Sequence, residues 1–272
     1  MSPCPSCARW CAEAVINSEN FSQADTSMTA ASTEPRWRTL LAAAVERGQT
    51  ELDLPKQQRS RARRAEIVKA ATRVFARDGV ARTRLADVAA EAGVPLSSVY
   101  DYFIDKEDIA YGLPVPHVTA FLQEFEAKAR ATRTARERVR LFLWLTVDFA
   151  RRNQEWARTL YLEIWPSVMV EKAVVREILD DYARVLHELI VDGARLGEWE
   201  MEEPYETMTI FLGSINQLIA TWLLYRNPRD VMKAAGSAVE RLLTLLAPAK
   251  PVAAARPRTD RGARARTAAV GG

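Results

Sequence analysis

The chain has three cysteines, Cys4, Cys7 and Cys11, and two histidines, His117 and His187. Cys4-Pro-Ser-Cys7 has the spacing of a metal or redox pair. No second pair follows it, however, and no histidine lies near it. Metal sites of this kind usually need three or four ligands, so no metal and no cofactor are implied. Cysteines confined to one end also argue against a disulfide-stapled secreted domain. No Ser/His/Asp ordering and no phosphate-cradling glycine loop is present, so the chain does not read as an enzyme. Recognition chemistry gathers instead at Ser97, Ser98, Asp101 and Tyr102, hydroxyls and a carboxylate crowded into one short stretch.

That stretch must be positioned by short helices. Ile67, Ala71, Val74 and Phe75 define one face of a helix that stops at Asp78-Gly79, where glycine suits a left-handed helix end. Thr83 is placed to cap a second helix with Leu85, Val88, Ala89 and Ala92 at helical spacing. Gly93 breaks it, and Pro95 opens a third. Val99 and Phe103 then turn inward, and Ser97, Ser98, Asp101 and Tyr102 turn largely outward. Two short helices joined by a tight glycine turn form a helix-turn-helix, whose second helix enters the DNA major groove. Asp105 is a helix cap with Asp108 three residues on. Lys106 therefore sits at a helix N-terminus, where backbone amides already favour a phosphate.

From 62 to 247 the period is helical throughout, with no convincing strand pattern, and the expected fold class is all-α. The 272 residues, 48% hydrophobic and 27% charged, have the balance of a soluble globular protein. The expected organisation is an extension over 1–55, disordered or weakly helical, then a basic arm over 56–61. A helix-turn-helix domain follows over 62–122, with the motif itself at 85–104. A larger helical domain over 123–248 and a disordered basic tail over 249–272 complete the chain. Trp37, Leu40, Leu41 and Val45 suggest a short amphipathic helix ending near Gly48, either docked or transient. Net charge is +3, but Lys56, Arg59, Arg61, Arg63 and Arg64 form one basic segment and the tail another, around a mildly acidic body. Such a distribution permits nucleic-acid contact. Thr207 to Tyr225 carries no charge, yet Asn216 and Gln217 near its middle would be costly in lipid, so a buried helix and no membrane are expected. The N-terminus has no basic region followed by an apolar run, and a cytoplasmic location is expected.

At Ile67 to Ile109 the sequence resembles the TetR family of transcriptional repressors. The resemblance is carried by Ala71, Phe75, Gly79, Thr83, Val88-Ala89, Ala92-Gly93-Val94, Tyr100, Tyr102-Phe103 and Lys106-Glu107. It implies an N-terminal three-helix DNA-binding domain and a larger helical ligand-binding and dimerisation domain. It also implies a homodimer on a near-palindromic double-stranded operator, released by a small molecule. DNA contacts are implied for Arg84, Leu96, Ser97, Ser98, Tyr100, Asp101, Tyr102 and Lys106, with Tyr100 and Lys106 on phosphates. Arg61, Arg63 and Arg64 would add backbone contacts. Leu96 fits either an inward stripe or a thymine methyl. Asp101 either accepts from a cytosine or pairs with an arginine. Tyr100 and Tyr102 have core packing as their alternative. Gly112-Leu113-Pro114-Val115-Pro116 departs from the family pattern and should break the helix that follows Lys106.

Farther on, Trp144, Asp148, Phe149, Trp156, Tyr161, Glu163, Trp165 and Trp222 are candidates to line a ligand pocket, with ordinary core as the alternative. Asp148 and Glu163 would meet a polar ligand group or form a salt bridge. The segment Asp192 to Trp199 looks like that of family members tied to fatty-acid metabolism, a hint of an acyl or other hydrophobic effector. The last two helices, over 204–247, would form half of a four-helix dimer bundle or an intramolecular core. A helix-turn-helix activator, or an adaptor without a small-molecule ligand, is the alternative function.

Overall fold

The computed structural model describes residues 35–52, 58–166 and 173–246. The cysteines, Lys56 and the tail over 249–272 lie outside the described residues. Among those described, all regular structure is helical.

α1 (Arg36–Leu52) leads into α2 (Gln58–Asp78), α3 (Leu85–Ala92), α4 (Leu96–Tyr100) and α5 (Lys106–Gly112). Then come α6 (Pro114–Ala129), α7 (Ala135–Arg152) and α8 (Gln154–Thr159). A π-helical turn over Leu160–Ile164 extends α8. α9 (Ala173–Arg195), α10 (Pro204–Tyr225) and α11 (Val231–Leu243) complete the fold. α2 covers α3, α3 packs on α4, and α6, α7, α9, α10 and α11 form the larger body. α8 packs against both α2 and α10, so it stands between the two units.

Three sequence expectations change here. The first is α1, which runs past Gly48 to Leu52 and is docked between α6 and α9. Trp37, Leu41 and Ala44 are buried, Trp37 meets Phe125 edge-on at 6.0 Å, and Arg47 grips Asp181 at 2.8 Å. Periodicity gives a helix but cannot say whether its apolar stripe finds a groove. The second is the basic arm over 56–61: α2 already begins at Gln58, so Arg61 stands on its first turn, ahead of Arg63 and Arg64. The third is Thr83, whose hydroxyl donates to Gly79 O at 2.8 Å and does not cap α3. Arg84 holds the cap position, and its backbone N–H donates to Asp87 at 2.9 Å.

Other local signals are realised. Gly79 and Gly93 have φ of 82° and 65°, the left-handed region that glycine enters without strain. Asp105 accepts from the Asp108 N–H at the start of α5. The double proline does break the helix: α5 ends at Gly112 and Pro114 opens α6 at a position where its missing N–H costs nothing. The expected boundary at 122 falls inside α6. The Asp192–Trp199 segment is a structural corner. Trp199 is buried over Gly193, where any Cβ would overlap the indole, and its Nε1 donates to Ile190 O at 3.0 Å. Glu198 caps α7, accepting from the Ala135 and Arg136 N–H groups at 2.6 and 3.0 Å.

Candidate nucleic-acid interface

The reading unit is small and depends on α2 for its core. Val88, Ala89, Val99 and Phe103 are buried beneath Ile67, Ala71 and Phe75. With Val99 and Phe103 committed inward, the one-turn helix α4 presents Leu96, Ser97, Tyr100 and Asp101 to solvent, with Ser98 and Tyr102 half-buried at its flanks. Leu96 is 38% exposed, so it does not join the inward stripe, and Tyr100 is 58% exposed, so core packing does not describe it. Tyr102 does pack partly against the core. The arginine partner expected for Asp101 is not found among the described residues. Asp101 is exposed, with no ion pair there.

Around α4 the charges are arranged as follows. Arg84 is exposed and pairs with Asp87 at 3.3 Å, which holds the Asp87 carboxyl below its usual range. Lys106 is drawn inward, its Nζ donating to Ala81 O at 2.7 Å across the turn between α2 and α3. An ammonium has three N–H donors, so this bond leaves others for a phosphate. Arg61 and Arg63 are exposed, whereas Arg64 is half-buried with its guanidinium 5.1 Å from the Phe103 ring centre. Arg64 therefore braces the helix-turn-helix as well as adding charge beside it.

The expected pocket residues come together only in part. Trp144 is 36% exposed on the surface of α7, Trp165 is half-buried, and Trp222 is core, with Arg226 over its ring. Phe149, Trp156 and Tyr161 do adjoin one another in an edge-to-face series that continues to Phe121 and Phe142. They pack against one another, and Trp156 also lines the cleft described next. Burial drives the Tyr161 and Tyr182 hydroxyls well above their ordinary range. Asp148 is claimed by Arg151 at 2.7 Å and Arg152 at 2.9 Å. Burial alone would raise its carboxyl, but those two bonds hold it below the usual value. The Glu163 carboxylate lies beside Gly79.

A cleft of about 640 Å³ opens elsewhere, where α2 faces α6 and α8. Arg61, Arg64 and Lys69 line it from α2, and His117, Arg152 and Trp156 from the other wall, with Glu155 the one acid among the described lining residues. The His117 ring stacks on Trp156 at 4.8 Å and 10°. Its Nδ1 lies 3.1 Å from Leu113 O, the one contact here that needs a proton on that nitrogen, and burial lowers the ring's pKa. Trp156 Nε1 is buried without an acceptor among the described residues. Of these lining residues, Arg61, Arg64 and Trp156 are candidates on sequence grounds. Lys69 and His117 have no signal in the sequence, because the cleft is created by packing between distant helices.

A helix-turn-helix carried beneath a larger helical body defines a DNA-binding transcription regulator. The model for bacterial regulatory proteins of the tetR family matches residues 67–111, and that for the YsiA-like C-terminal region matches 116–245. The chain belongs to the TetR family. The fatty acid metabolism regulator protein of Bacillus subtilis (strain 168) is 25% identical over 181 residues, 66% of this chain and 93% of that protein. The regulator TtgR of Pseudomonas putida is 46% identical over 50 residues, 18% of this chain and 24% of that one, a local likeness. The crystal structure of FadR from Bacillus subtilis in complex with stearoyl-CoA matches with a TM-score of 0.62 at 25% identity, over 66% of this chain and 97% of that one. FadR from Bacillus halodurans has a TM-score of 0.61 at 19% identity, over 66% and 94%, a likeness of fold alone.

Proposed function

We propose that this protein is a cytoplasmic, dimeric repressor, without enzymatic activity, whose operator affinity is lowered by a CoA thioester of a fatty acid. The observation that carries the ligand class is the cleft between α2 and α8. Cationic side chains of the DNA-binding unit meet an aromatic wall of the larger body there, so an anionic head placed in it touches both units. The likeness to FadR bound to stearoyl-CoA supports the same class. In this reading Ser97, Ser98 and Asp101 face base edges in the major groove. Arg61, Arg63, Arg84, Tyr100 and Lys106 hold phosphates, Leu96 meets a thymine methyl, and Tyr102 flanks the contact.

The dimer is read from the exposed side of α10. That helix is apolar nearly all round, yet Ile210 and Leu224 are 51% and 55% exposed in the single chain. Large apolar side chains left open at both ends of the helix's outer side support an interface there. Ala235 and Leu242, by contrast, are buried within the protomer, so the intramolecular reading holds for that side of α11.

The test is a mobility shift on an operator selected from a random duplex pool, titrated with stearoyl-CoA, stearate and free CoA. Stearoyl-CoA should release the operator, while stearate and CoA separately should not. The edge-to-face packing of Phe149, Trp156 and Tyr161 on one another favours a second reading, a regulator without a small-molecule effector. Operator binding indifferent to stearoyl-CoA would decide for it.

A further inference from the structure

Arg158 lies on the six-residue helix α8 and makes two hydrogen bonds to distant backbone. Its Nε donates to Ala76 O at 3.3 Å and its Nη1 to Leu223 O at 2.9 Å. Ala76 is in the last turn of α2 and Leu223 in the last turn of α10. The final carbonyls of a helix have no intrahelical donor and carry the negative end of its dipole. One half-buried guanidinium therefore satisfies the C-terminal ends of two helices at once, and no carboxylate pairs with it among the described residues. Two further contacts hold the same place. Arg226, the left-handed residue that ends α10, donates to Gln154 Oε1 at 2.8 Å, at the start of α8. The Glu163 carboxylate, on the π-helical turn beyond α8, lies beside Gly79 at the end of α2.

We infer that Arg158 is a positioning residue that fixes the helix-turn-helix on the dimerising helix and thereby sets the separation of the two reading heads. This rests on the reading of α10 as the dimer helix. α2 is the scaffold of the reading unit, so the orientation of its end relative to α10, linked through α8, determines where α4 points in each subunit. The fork geometry of a guanidinium is needed, because a single donor reaches one carbonyl and leaves the other helix free to swing. Trp156, on the wall of the cleft, is two residues from Arg158 on the same helix.

The test uses the full chain and a set of operators whose half-site spacing differs from the selected one by about one or two base pairs. The wild-type protein should lose about tenfold or more in affinity on the altered spacings, within the usual range of coupling between sites. Arg158→Gln, still folded and dimeric by melting and sedimentation, should bind the selected operator more weakly and vary by about threefold or less across the set. Arg158→Lys should fall between the two. A folded, dimeric Arg158→Gln with the wild-type spacing profile would overturn the inference. If that variant does not fold, a wild-type profile in the Lys variant would do the same. A wild-type chain that is monomeric or binds no duplex selectively would instead remove the reading beneath it. General destabilisation alone lowers affinity on every spacing equally and leaves the profile intact.

Discussion

Ser98 and Tyr100 stand two residues apart on α4 with different reach, since the hydroxyl of one is close to the backbone and that of the other is held out on a ring. Ser98→Ala should change preference at one or two base pairs by about 1–3 kcal/mol at most, the range for a direct base contact. Tyr100→Ala should weaken all operators alike, because phosphate contacts position without specifying. Binding to a panel of single-base operator variants checks both, and identical panels for the two substitutions would contradict the assignment. His117 provides a pH test of the fold. Its folded-state pKa lies below the ordinary value because the ring is buried, and its bond to Leu113 O offsets this in part. The unfolded ring therefore takes up a proton first, at about pH 6.5. Stability is fully present above that pH and declines as pH falls from it toward the folded value. Urea unfolding at about pH 7.5 and about pH 5.5 should show the decline, and His117→Gln should reduce it. A decline of the same size in the variant would assign it to other groups.

Among the elements, α1 is the addition that neither family span includes, since the matched residues begin at 67. It is nevertheless part of the core. Trp37 packs on Phe125, and Gly48 passes so close to Thr119 that any Cβ there would overlap the threonine hydroxyl. Trp37→Ala should cost about 3–5 kcal/mol, as for other buried aromatic truncations, read as a lower urea midpoint with an unchanged slope. A change under about 0.5 kcal/mol, the range of surface substitutions, would show that α1 is not docked in solution. α1 was legible as a helix from Trp37, Leu41 and Val45. Its docking was not, because the groove that receives it is built by α6 and α9, far away in sequence. The helix-turn-helix was legible nearly residue by residue, since glycine breaks, caps and a four-residue apolar spacing act locally. The cleft was not, because its walls come from helices far apart in sequence.

At the scale of the molecule, the exposed side of α10 makes the dimer a quantitative expectation. Ile210→Arg places a charge on that side without touching the buried residues Met208, Phe211 and Ile215. It should shift the mass in sedimentation from dimer to monomer and abolish high-affinity operator binding, while the melting profile of the monomer remains cooperative. An unaltered dimer would place the interface elsewhere. A charge at Ala235 is not a test of dimerisation, because that position is core within each subunit.

The sequence by itself determined the all-helical class, the helix-turn-helix with its outward Ser97, Ser98 and Asp101, the break at Pro114 and the family. Each of these follows from residues within one or two turns of each other, where backbone stereochemistry and apolar period leave few choices. Only the tertiary structure decided that Leu96 and Tyr100 face outward and that Lys106 is held by Ala81. It likewise decided that Asp148 is paired with arginines, that Phe149, Trp156 and Tyr161 pack edge to face, and that the open cleft lies between α2 and α8. These outcomes depend on which faces of separate helices meet. That choice is set by the packing of the whole chain, and a period read along one helix does not contain it.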